Sequence, residues 1–146
     1  MVRQVTRAFG AADEVLGGGH GLSAVASYLA DTAVPLLSAR FASDQTRREA
    51  FGAAAELAWL LGWKHHDLGQ EGPAQAYYRA GFQFAVESDP HGHAAWMTRA
   101  LAHQILAAGH RRQARDLAAA LTRAAGTPTG RPRRCCTSPT PGLWPR

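Results

Sequence analysis

Histidine is the side chain with the most chemistry to offer in this chain, at seven of 146 residues. His65 and His66 are neighbours, about 100° apart on a helix, whereas a helical zinc site needs the i, i+4 spacing that puts two imidazoles on one face. Neither HExxH nor HxxxH occurs. His91 and His93 form an HGH in a loop pattern, without third and fourth ligands at fixed spacing, so loop polarity is expected there and no metal. The serines (Ser23, Ser27, Ser38, Ser43, Ser88, Ser138) lie outside any GxSxG elbow, and a helical chain has no strand to carry one. GGGHG follows a helix rather than a strand and lacks a Lys-Ser/Thr, so it reads as a turn and not a phosphate loop. Cys135 and Cys136 are adjacent, without CxxC spacing. The expectation is a non-enzymatic protein with no cofactor.

What positions the remaining candidates is a helical framework. Thirty alanines and a single isoleucine, Ile105, favour closely packed helices over β-branched strands. The length suits one domain with its own core. The longest apolar stretch, FGAAAELAWLLGW, is broken by Glu56 and falls short of the roughly 20 residues that span a bilayer. MVRQVTRAFG has no apolar segment after its basic residues, so a secretory signal is not expected and the chain reads as cytoplasmic. Glycine and proline divide the chain into helices. The first, 3–16, is stopped by Gly17, Gly18, Gly19 and Gly21, and the second starts after Ser23, with Pro35 near its end or at a kink. The third, 45–67, is capped by Ser43 or Asp44 and stopped by Gly69; the fourth opens at Pro73 and runs to the breaker SDPHGH. The last two are 94–108, ended by Gly109, and 111–125.

Leu61, Gly62, Gly69 and Ala74 recur 40 residues later as Leu101, Ala102, Gly109 and Ala114. Two copies of one helical hairpin are therefore expected, at about 45–88 and 94–125. A small residue lets each pair of helices approach, a glycine turns the chain, and another small residue opens the return helix. This is the logic of the tetratricopeptide repeat (TPR), whose period is about 34 residues, with SDPHGH as an insertion in the first copy. The predicted fold class is all-α, a short TPR-like hairpin array over residues 1–125. On that register the concave-face positions are Glu56, Trp59, Trp63, His66 and Asp67 in one copy, and Trp96, Arg99 and His103, with Leu106 and Ala107, in the other. Tryptophan and arginine anchor interfaces, and a carboxylate beside them can orient an amine or guanidinium. The same tryptophans could instead fill the seam between hairpins. Asp67 and His103 could each make one inter-helix hydrogen bond.

Residues 3–125 also resemble the C-terminal TPR-like region of actinobacterial Xre-type helix-turn-helix transcriptional regulators. The resemblance is carried by FGAADEVLGGGHG followed by YLADTAVPLL, by AAELAWLLGWKHHDLGQEGPAQAYYRAGFQFAVESD and by LAHQILAAGHRRQA. It implies a regulatory or sensor module that binds a peptide, a small molecule or a protein partner in a groove. The helix-turn-helix itself is not expected in this sequence, because Met1 falls just before the GGGH helix.

The pI near 10.0 is a property of the tail. Residues 1–125 hold 12 Lys and Arg against 11 Asp and Glu, whereas residues 126–146 hold four arginines and no acid. That tail, GTPTGRPRRCCTSPTPGLWPR, has five of the eight prolines and no helical period, and it reads as disordered, either a flexible C-terminus or the product of a frameshift. The alternative readings are a DNA-associated regulator with a basic C-terminal arm and a truncated gene remnant. An array this short points to a partner, with a homodimer among the options. Residues 1–125 alone are expected not to bind duplex DNA at physiological salt, because a near-neutral body releases few counterions. A mobility-shift titration checks this, and salt-sensitive binding without the tail would contradict it.

Overall fold

Ser43 opens the longest helix of the fold. Its backbone is extended, its Oγ accepts from the Thr46 N–H at 3.1 Å, and Asp44 follows in the first turn, where a carboxylate meets the positive end of the helix dipole. The computed structural model describes residues 1–89, 93–107 and 109–125, and its regular elements there are all helical. In chain order they are α1 (Val2–Leu16), α2 (Leu22–Tyr28), a π-helical turn (Leu29–Ala33), α3 (Val34–Leu36), α4 (Asp44–Asp67), α5 (Glu71–Ser88), α6 (His93–Ala107) and α7 (Arg111–Ala125). The tail reading for 126–146 lies outside the described residues. No helix among them is long and apolar enough to cross a membrane.

Several boundaries differ from expectation by a residue or two, with physical causes. Pro73 is the third residue of α5 rather than its first; the helix starts at Glu71, still within the turn whose N–H groups need no helical partner. Pro35 lies near the end of the second helical run, which closes at Leu36, and just before it the helix is disturbed. Pro35 cannot donate to the carbonyl four residues back and its ring crowds that carbonyl. The chain widens just before it, so that Val34 N–H donates to Leu29 O, five residues back, and helical backbone continues into α3.

The turns after α4 and α6 have the same construction. Gly69 N–H donates to His66 O at 2.9 Å and Gln70 N–H to His65 O at 2.8 Å; Gly109 and His110 repeat this with Leu106 O and Ile105 O, both at 3.0 Å. This is the left-handed helix stop that glycine adopts without strain, at φ 70° and 85° respectively.

α4 lies at the centre, against α1, α2, the π turn, α5 and α6, and beyond its polar first turns most of it is buried: Gly52–Ala55, Leu57, Ala58 and Leu60–Gly62. On one side Val25, Leu29 and Ala33 pack with Leu57, Ala58 and Leu61. On the other, Ala55 joins Ala85 of α5 and Met97 of α6. Gly62 sets the approach of α5, since a Cβ there would lie 2.5 Å from the ring of buried Tyr78.

One buried residue of α4 is charged. The Lys64 side chain is 0% exposed; its Nζ pairs with the Asp13 carboxylate of α1 and donates to His20 O at 2.7 Å in the α1–α2 turn. Burial keeps the Asp13 carboxyl above the usual aspartate range, although Lys64 beside it pulls the other way. Asp67 adds a second tie, accepting from Gly18 N–H at 3.1 Å. Asp13→Ala would leave an ammonium buried without its counter-charge, a loss of about 3–5 kcal/mol. The double variant Asp13→Leu with Lys64→Met is expected to lose less than Asp13→Ala, because no buried charge remains. Urea unfolding followed by circular dichroism gives both values.

Candidate recognition face

The helical period brings Trp59, Trp63 and His66 onto one side of α4. The two indoles stack with centroids 6.0 Å apart and planes 11° from parallel, and the His66 imidazole follows at 5.7 Å, tilted by 52°. All three side chains are half-buried. Trp59 also packs against the cluster of Ala55, Ala85 and Met97, so the inner end of this ladder is anchored in the seam between α4, α5 and α6.

Beyond His66 the ladder becomes polar. His66 Nδ1 lies 2.7 Å from Glu71 Oε1 in the first turn of α5. Gln104 of α6, only 5% exposed, donates through Nε2 to Glu71 Oε2 at 2.9 Å and to Glu71 O at 3.3 Å. Two acceptors on one residue orient the Gln104 amide with its NH2 toward Glu71. The bond from Gln104 holds the Glu71 carboxyl below the usual glutamate range, with His66 assisting. Beside this relay a half-open cleft of about 200 Å³ is lined by Glu71, Gly72, Gln75, Gln104, Ile105 and His110.

The other residues of the predicted face are placed differently. Glu56 accepts from Arg3 Nε at 3.1 Å, and Asp67 binds Gly18 N–H, so both carboxylates hold the α1–α2 part of the fold. Arg99 and His103 are exposed on α6, one helical turn apart. Trp96 falls within α6, and its side chain lies outside the described residues. Among the described residues no group of three or more His, Cys, Asp or Glu is arranged to hold a metal ion.

Three residues that organise this region were not among the predicted ones: Lys64, Glu71 and Gln104. A signal for two of them was present, because the 40-residue offset that pairs Leu61 with Leu101 also pairs Lys64 with Gln104. Each is a long polar residue on an apolar helix, each is buried, and each donates to the turn region of the preceding hairpin.

Comparison with family models, with curated proteins and with solved structures finds no match to this chain.

In the Gln104→Leu variant the Glu71 titration is expected to move up toward the ordinary value of 4.5, since its main stabilising donor is gone. Because the depressed carboxyl favours the fold above its unfolded pKa and loses that effect as pH falls through its folded pKa, the variant should also show a weaker loss of stability on acidification. Carboxyl carbon chemical shifts followed through a pH titration measure the first effect directly.

Proposed function

We propose that this chain is a non-enzymatic, TPR-like interaction or sensor module that takes a peptide, a small molecule or a protein partner across the face formed by Trp59, Trp63 and His66 of α4, with exposed Arg99 and His103 of α6 as further contacts. One observation carries the reading: two indoles stacked in register are half-buried rather than sealed. A stack of this kind presents large apolar area with few rotors to lose on binding, the property that makes aromatic side chains interface anchors. The TPR-like description is supported by the glycine stop that recurs after α4 and α6 and by the matched roles of Lys64 and Gln104. Membership of a transcriptional regulator of the Xre type rests on the sequence resemblance.

The test has two parts. Acrylamide quenching with single Trp→Phe variants, in a Trp144→Phe background, is expected to find Trp59 and Trp63 accessible. Peptides selected on the full chain from a random display library are expected to perturb that fluorescence and to bind more weakly to Arg99→Ala and His103→Ala. Those exposed substitutions should change stability by less than about 0.5 kcal/mol. Complete protection of both indoles would overturn the proposal, as would selected peptides indifferent to all four positions.

A further inference from the structure

The near-neutral balance of residues 1–125 conceals two poles. Residues 1–92 carry seven Lys and Arg against ten Asp and Glu, whereas residues 93–125 carry five arginines against one acid, Asp116. Within the first pole, two exposed arginines pair with acids: Arg48 with Asp44, and Arg47, whose Nη2 lies 2.5 Å from Glu87 Oε2. In the second, His110, Arg111, Arg112 and Arg115 are all exposed, and the one acid of that segment, Asp116, lies 3.7 Å from Arg115. Arg111 and Arg115 are four residues apart on α7 and Arg112 and Arg115 three apart, spacings at which like charges repel. A counter-charged partner relieves that repulsion.

We infer that the α6–α7 hairpin is a docking surface for an acidic protein segment studded with apolar side chains. Two observations select this occupant over a nucleic acid. α7 has 15 residues, about 22 Å of helix, and the rest of the fold, residues 1–89, carries seven Lys and Arg against ten Asp and Glu, a net negative charge that disfavours a polyanion extending past the hairpin. Leu106, between His103 and His110, is 52% exposed; a Leu or Phe of a peptide can cover it, and a phosphate backbone cannot. The inference does not rest on the aromatic face of α4, because Arg111, Arg112 and Arg115 belong to α7.

The test is fluorescence anisotropy of a labelled synthetic peptide of Asp, Glu, Leu and Phe against the full chain. Reversing the hairpin with Arg111→Glu and Arg112→Glu should weaken binding at least about tenfold, as expected for loss of complementary charge. Reversing the tail with Arg133→Glu and Arg134→Glu should change it less than about twofold by the same reasoning. Circular dichroism verifies that the variants fold, and if the hairpin reversal does not, Arg112→Gln with Arg115→Gln replaces it. A peptide with Ser in place of Leu and Phe should bind more weakly, and duplex DNA should not compete. No binding of the acidic peptide, dependence on the tail arginines instead of those of α7, equal binding of the Ser peptide, or competition by duplex DNA would each overturn the inference.

Discussion

A fully buried ammonium has to be answered inside the protein, and the way Lys64 is answered organises half of this fold. The Asp13 carboxylate and the His20 carbonyl both come from the α1–α2 part of the chain, more than 40 residues away in sequence. α1 has no fully buried residue of its own, so apolar burial alone fixes its position only loosely. The charge supplies what the packing lacks: desolvation makes any other placement of the turn costly, because it would leave Lys64 without its partners. Asp67 and Glu56 then hold the same part of the fold from further along α4, through Gly18 N–H and Arg3.

Once those polar atoms of α4 are committed toward α1, its aromatic side is left to face α6. Trp59 is gripped by Ala55, Ala85 and Met97, Trp63 stacks on it, and His66 passes the sequence of contacts on to Glu71 and Gln104. Two residues 40 apart in sequence, Lys64 and Gln104, thus serve as an ion-pair lock in α4 and as an amide clamp in α6. The difference follows from the groups met: Asp13 presents a carboxylate in a buried setting, where a full charge can be matched, and Glu71 presents an exposed carboxylate and a backbone carbonyl, which a neutral amide can bridge.

The helices were legible because their signals are local. Ser43 as a cap, Gly69 and Gly109 as stops and the alanine-rich α4 need only neighbouring residues to act, and the observed boundaries of α4 and α7 lie within a residue of those expected. Pro35 was legible as a residue near the end of its helix, but not the π-helical turn before it, since a kink and a widened turn both accommodate a missing N–H. The candidate face was legible in part. Helical spacing alone puts Trp59, Trp63 and His66 on one side, yet it cannot say that Glu56 and Asp67 turn toward α1, because that depends on where Arg3 and Gly18 arrive.

By itself, the sequence determined the helical class, the position of the turns, the 40-residue recurrence of a few small residues and turn glycines, and the asymmetry of charge along the chain. Each follows from the type of a residue and its spacing from near neighbours. Only the tertiary structure decided what Lys64, Glu71 and Gln104 do. A lysine on an alanine-rich helix is ordinarily a solvated charge. It becomes the central tie of this fold because α1 and the glycine turn fold over it and exclude water, and a desolvated charge binds its partners far more firmly than an exposed one.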